Sequence, residues 1–301
     1  MKGRLSAAAL VLAAGVVAAG AGAASAPLPS SKAFLLAPAD FGRYAKAGRE
    51  QTVRLGVGLT EYLQVYAGGL TAGGKAIAGA ASLAIVAPDA TTSAETYQEI
   101  EVASRTSAGR RTIAQEFGAS FATGLQKAGS KKVRLLKTTV GTPRFETDTL
   151  VLPIVLKTTV GTARLPLVLT HVDRVVGGFV LISYYGHTVP NAAVDFETAA
   201  LRKHLVDAFT VASTAPPSIS GSAAQGQTLT VDEGAWSGAP TSYTYAWSRC
   251  LNGTCTPIDG ATAKTYLVGA ADSGAALQVA VTAANTVGTA TASAPPAAVA
   301  P

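Results

Sequence analysis

Residues 132–186 read KVRLLKTTVGTPRFETDTLVLPIVLKTTVGTARLPLVLTHVDRVVGGFVLISYYG, and this stretch decides the fold. Apolar residues recur through four runs, roughly 132–140, 146–158, 162–173 and 178–186. The punctuation between them is Gly141-Thr142-Pro143, Val160-Gly161-Thr162 and Gly177-Gly178. Connections this short join antiparallel neighbours, because a parallel pair needs a long crossover. A four-stranded antiparallel meander is the expectation. Pro153 and Pro166 cannot donate to a ladder, so they belong at bulges or on edge-facing sides. Leu136–Thr142 (LKTTVGT) recurs unchanged as Leu156–Thr162, with Arg144 and Arg164 two residues beyond each copy. The duplication could make a cationic site of Lys137, Arg144, Lys157 and Arg164. In a regular meander, however, consecutive turns lie at opposite ends of the sheet, so the reading favoured is two similar strand ends and no common patch.

Around the meander the pattern changes to helices. Upstream, Glu61–Tyr66 and Ala80–Val86 read as strands, and Ala87-Pro88-Asp89 stops the second. Thr92 and Glu95 read as a capping box opening a helix that carries Tyr97 and Ile100. A break near Ala108-Gly109 leads to a second helix with Ile113, Phe117, Phe121 and Leu125 on one stripe, closed by Gly129. Downstream, a helix starts near Asn191 with Leu201, Leu205 and Phe209 four apart. Residues 32–213 are therefore expected to form an α+β domain, an antiparallel sheet covered on one face by helices.

The N-terminus reads as an address. Lys2 and Arg4 precede the apolar run Ser6–Gly22, and Ala24-Ser25-Ala26 has the cleavage pattern of a secretory signal peptide (1–26). Pro27 disfavours cleavage directly before it, which leaves a site such as Ala23 equally open. After cleavage no stable membrane span is expected. Export places Cys250 and Cys255 in an oxidising compartment, where a close pair forms a disulfide, and Asn252-Gly253 between them is a hairpin-turn dipeptide.

At Thr214-Ala215-Pro216-Pro217 the texture changes, and 214–217 is expected to be a short stiff linker. Of the net charge of +6, residues 27–214 supply 20 basic and 14 acidic side chains, and residues 215–301 only 2 and 4. The downstream segment carries Gly226-x-x-Leu229, Trp236, Tyr245-x-Trp247-x-Arg249-Cys250, Cys255, Ile258 and Tyr266. Asp272-x-Gly274-x-x-Leu277-x-Val279-x-Val281 and Asn285-x-x-Gly288 complete the set. In this it resembles the immunoglobulin-like repeat of secreted actinobacterial proteins, over residues 216–298. The resemblance implies an all-β sandwich with Trp247 in its core, serving spacing, display or adhesion. Leu277 and Val279 stand where antibody-type domains place a tyrosine and the second core cysteine, so Cys250–Cys255 is read as a local staple. By element order alone, the first segment resembles PsbP-like or lipoprotein-type ligand-binding domains of bacterial envelopes, which implies binding without chemistry.

Composition leaves little material for catalysis. The chain has 3 histidines and 2 cysteines among its 301 residues, and no G-x-S-x-G, P-loop, H-E-x-x-H or dinucleotide motif. His171 and Asp173, two apart on one expected strand, would share a face, where they could orient a base or hold a metal, or form a solvated rim. Tyr184 and Tyr185 face opposite sides of their strand; with Arg174 and His187 they could line a groove. His204 reads as a surface residue. No cofactor, metal or nucleic-acid partner is expected. The sequence reads as an exported, non-enzymatic envelope or extracellular binding protein, whose partner is an envelope component, glycan, lipid or protein. Adhesion or spacing without a discrete ligand site is the alternative, and an extracellular hydrolase the second.

Overall fold

The computed structural model describes residues 28–48, 50–54, 58–127, 133–183 and 186–300. The signal segment 1–26, Gly129, Tyr184 and Tyr185 lie outside them. The chain is rich in strands, which form several antiparallel sheets, and divides into two compact units, chiefly Ser30–Val206 and Asp207–Pro301.

In the first unit two single helical turns, Ser31–Ala33 and Pro38–Phe41, lead into β1 (Tyr44–Ala47), β2 (Gln51–Arg54) and β3 (Thr60–Gly69). A small hairpin of β4 (Thr71–Ala72) and β5 (Lys75–Ala76) precedes β6 (Gly79–Val86). Helices α1 (Ala90–Arg105) and α2 (Ser107–Lys127) follow. Then come β7 (Leu135–Val140), β8 (Arg144–Glu146), β9 (Thr149–Thr158), β10 (Gly161–Val172) and β11 (Val175–Ile182), and α3 (Asn191–Phe209). The main sheet is wholly antiparallel in the order β1-β3-β6-β11-β10-β9-β7, with β2 on β3 and β8 on β9.

The meander is present, but its first and third turns lie elsewhere than expected: Asp173-Arg174, and not Gly177-Gly178, joins β10 to β11. Thr147-Asp148 joins β8 to β9, with Asp148 at φ 54°. Gly141-Thr142-Pro143 only interrupts an edge strand whose two halves, β7 and β8, both pair with β9. The interruption falls opposite Pro153, whose carbonyl still accepts from Gly141 N at 2.8 Å. Pro166 pairs with Pro153, just outside the β10–β11 ladder, which begins at Leu167↔Val180. Each proline thus sits where its missing N–H costs no ladder bond.

Alternation along the strands divides the unit into two cores. Leu150, Leu152, Ile154 and Leu156 of β9, with Leu165, Leu167 and Leu169 of β10, pack with Tyr97, Ile100 and Ile113 of α1 and α2. The expectation of helices on one face is corrected by the opposite face. There a Cβ at Gly177 would lie 2.7 Å from Leu205 Cδ1 and 3.5 Å from Leu201 Cδ1, so α3 rests directly on β11. The segment Phe34–Leu36 covers the same face, with Leu36 N bonded to Ser82 Oγ at 3.1 Å. The helix caps also differ from expectation. Asp89, not Thr92, caps α1, its Oδ1 accepting from Thr92 N at 2.7 Å. The break falls at Thr106, whose hydroxyl accepts from Gly109 N at 3.0 Å. A short polar side chain satisfies the amides a helix start leaves open, whichever candidate lies nearest.

The second unit comprises β12 (Ala212–Ala215), β13 (Ser218–Ser220), β14 (Thr228–Asp232), β15 (Ala235–Ser237), β16 (Ser242–Leu251), β17 (Thr254–Pro257), β18 (Thr265–Leu267), β19 (Ala276–Ala284), β20 (Thr289–Ser293) and β21 (Ala297–Ala298). Sheets β13-β14-β18 and β17-β16-β19-β20 contribute Leu229, Val231, Trp247, Leu277, Val279 and Val281 to one core. Trp247 stacks on Tyr266 with ring centroids 5.2 Å apart and donates from Nε1 to Ala263 O at 2.9 Å. Cys250 and Cys255 are cross-strand partners joined by a disulfide. Asn252 and Gly253 hold φ of 49° and 81°, as the two-residue turn requires. The expected linker is corrected in part, since Ala212–Ala215 is a strand paired with β15. Gly234 makes that possible: a Cβ there would meet Ala215 O at 2.5 Å.

Candidate functional site

Among the described residues, the expected groove residues His171, Asp173, Arg174 and His187 do not line one groove. His171 ends β10, half-buried, its ring stacked on Tyr97 at 5.9 Å. Its Nε2 lies 2.9 Å from the backbone carbonyl of Asp173, and burial holds its pKa below the ordinary histidine value despite that bond and the nearby Asp148 and Asp173 carboxylates. Asp173 does not share a strand face with it. It turns the chain at φ 50°, and its carboxylate is buried 3.4 Å from the guanidinium of Arg174, itself buried. His187 is exposed beyond the far end of β11, whose 8 residues separate it from Arg174 by about 25 Å at a strand's rise.

What assembles instead is a cleft of about 390 Å³ on the α3 face of the sheet. Its floor is Val151, Pro153 and Val155 of β9 with Pro166 of β10, and Val189 and Val194 line it further. Ser183 holds the following loop in place, its one hydroxyl proton shared between Arg164 O at 3.1 Å and His187 O at 2.9 Å. Two guanidiniums belong to the lining. Arg144 is neutralised, Nη2 lying 2.5 Å from Asp195 Oδ1 on α3 and Nε 3.1 Å from Glu146 Oε1. Arg164 is exposed and has no acidic partner among the described residues.

The duplicated segment lies beside this cleft, contributing Thr142 to its lining. Because 141–143 is no hairpin turn, the two copies lie side by side, with Lys137 directly opposite Lys157 across β7 and β9. Thr138 stands opposite Leu156, which fixes Thr138 to the helix-covered core face and both lysines to the α3 face, the face of Arg164. The separate strand ends expected from sequence are thus corrected to one cationic stretch. The register that creates it turns at Thr147-Asp148, a weaker turn signal than Gly141-Thr142-Pro143.

Two buried carboxyls lie apart from this cleft. Glu61 on β3 is pushed up to about 7 by burial, with no hydrogen bond to either oxygen among the described residues. Glu197 on α3 is also raised to about 7, by burial and by Asp40. Asp40 pairs with His204 at 3.2 Å, which corrects the reading of His204 as a simple surface residue. Among the described residues no three His, Cys, Asp or Glu side chains are grouped to hold a metal, and no helix is long and apolar enough to cross a membrane.

No protein-family model and no curated protein sequence matches the chain. Among solved structures, the extracellular domain of PknH from Mycobacterium tuberculosis is similar at a TM-score of 0.29 and 9% identity, covering 54% of this chain and 85% of that one. A likeness so slight carries no argument about fold or function.

Proposed function

We propose that the protein is an exported, non-enzymatic binding protein of the envelope or exterior. Its first unit, an α+β domain, holds a ligand in the Pro153–Pro166 cleft, and its second unit is an immunoglobulin-like display module. The observation that carries this reading is the cleft itself, an apolar floor beside an unneutralised arginine. Sites of this kind are concave and mostly apolar, with a few placed polar groups. The signal-like N-terminus and the Cys250–Cys255 bridge support export. His171 supports the hydrolase reading poorly, since its partner is a backbone carbonyl where a catalytic base needs an orienting carboxylate.

The test is capture from an envelope extract by the full chain and by Val155→Tyr, which places a ring in the cleft. Saturable capture of one component, lost in the variant, is the expected result. Undiminished capture by the variant moves the ligand elsewhere, and no capture by either leaves adhesion or spacing as the better account.

A further inference from the structure

The cationic stretch beside the cleft has a feature that structural needs do not supply. Lys137 and Lys157 are opposed cross-strand partners. Residues so placed have Cβ atoms about 4.5–5.5 Å apart, and like charges there destabilise a sheet. Arg164 adds a third positive charge on the same face. It stands opposite Val155, while Lys157 stands opposite Thr162, which makes Lys157 and Arg164 diagonal neighbours, roughly 7–8 Å apart. None of the three has an acidic partner among the described residues, although Arg144 nearby has two. Thr139 and Thr162 bring hydroxyls to the same face. An edge strand such as β7 gains from one lysine, which discourages pairing with other chains. That role accounts for Lys137 and leaves Lys157 and Arg164, on inner strands, unexplained.

We propose that Lys137, Lys157 and Arg164 form an oxyanion subsite, and that the ligand is an amphiphile whose phosphate or carboxylate they hold while its apolar chain or ring lies over Pro153 and Pro166. This rests on the cleft being the ligand site. The charge complementarity is one-sided: the Arg144 end is already neutralised by Asp195 and Glu146, so the anionic group belongs at the Lys157 end. Bonds in which the donor and acceptor are both charged are roughly twice as strong as neutral ones, and the apolar floor adds burial that a bare anion cannot use.

The experiment titrates the full chain with octyl phosphate, inorganic phosphate and octyl glucoside, each below any micellar concentration. It compares the natural chain with Lys137→Gln/Lys157→Gln/Arg164→Gln and with Arg43→Gln/Lys46→Gln/Arg54→Gln, which removes equal charge from exposed positions elsewhere. Octyl phosphate should bind the natural chain at least about tenfold more tightly than the other two probes. The first variant should lose about tenfold or more, and the second should be unchanged. All six side chains are exposed, so neither variant should melt below the natural chain, and the first, relieved of the Lys137–Lys157 repulsion, should melt at or slightly above it. Equal binding by the first variant, an equal loss in the second, or inorganic phosphate binding as well as octyl phosphate would each overturn the proposal. If octyl glucoside binds as tightly as octyl phosphate, the oxyanion subsite fails and the apolar cleft stands. If neither alkyl probe binds, the cleft reading fails with it.

Discussion

Replacing Asp272 with alanine should cost the second unit about 3 kcal/mol. The Asp272 carboxylate is fully buried. Its Oδ1 accepts from Arg249 Nε at 2.7 Å and Nη2 at 2.5 Å, and its Oδ2 from Gly269 N at 2.8 Å and Tyr266 Oη at 3.0 Å. Hydrogen bonds to a charged group contribute about 1.5–3 kcal/mol each, but these share one acceptor group and do not add. Breaking a buried pair typically costs about 3–5 kcal/mol. The Arg249 side chain is 26% exposed and can recover water, which brings the figure to the lower end. Both tryptophans, Trp236 and Trp247, belong to this unit, so tryptophan fluorescence in urea isolates its unfolding. With a slope of about 1–3 kcal/mol per molar, the midpoint should fall by roughly 1–3 M. Acid provides the second arm. Burial would raise the Asp272 pKa, but the Gly269 amide, Arg249 and Tyr266 outweigh it and hold the carboxyl below its ordinary value. A carboxyl depressed in the folded state stabilises above its unfolded pKa, and that contribution is lost as pH falls through the folded one. The gap between the natural chain and Asp272→Ala should therefore be constant from about pH 5 to 8 and narrow below about pH 4. A loss under about 1 kcal/mol, or a gap as wide at pH 3 as at pH 7, would refute the reasoning.

Glu61→Gln should stabilise the first unit at pH 8 and change little at pH 4, followed by ellipticity at 222 nm. The natural carboxyl, raised to about 7 by burial, takes stability away as pH climbs from its unfolded value towards 7, by about 3 kcal/mol at most. Gly178→Ala should destabilise more than Gly177→Ala in thermal melts, with about 1–3 kcal/mol as the usual overpacking cost. The first new methyl meets a backbone oxygen, Val168 O, at 2.6 Å, whereas the second meets the movable tip of Leu205. Replacing Cys250 and Cys255 by serine should cost only about 2 kcal/mol by tryptophan fluorescence, because the bridge closes a very short loop; failure to fold would show that the staple does more than close it.

Several parts of this architecture were legible in the residues. The apolar runs of β9, β10 and β11 and the four-residue spacing of Leu201, Leu205 and Phe209 all correspond to elements. The motif Arg249…Tyr266…Asp272 turned out to be one hydrogen-bonded network around Trp247. What could not be read was decided by competition between similar local signals. Gly141-Thr142-Pro143 is the stronger turn by composition, yet the chain turns at Thr147-Asp148, because that register buries Leu150, Leu152, Ile154 and Leu156 together. That one choice brings Lys137 opposite Lys157 and so decides whether a cationic site exists. The second helical face was hidden for a different reason. Gly177 and Gly178 look like turn residues, but they lie within β11, and the missing side chain at Gly177 lets α3 approach.

The place of those glycines also bears on how the first unit assembles. Every ladder from β7 to β11 joins strands close in sequence, and β1, β2, β3 and β6 are likewise local to one another. The two halves of the sheet meet only along β6 and β11, where Val86 faces Val175 and Leu83 faces Gly178. Closing that seam spans roughly 90 residues and both intervening helices, an entropic cost of about 4 kcal/mol. Each half can wind up by short-range steps, so the rate of folding is set where they are zipped together. Gly178 stands on that seam and is too tightly enclosed by Val168 and Leu169 to tolerate a methyl group, so a side chain there would obstruct the join between the two halves.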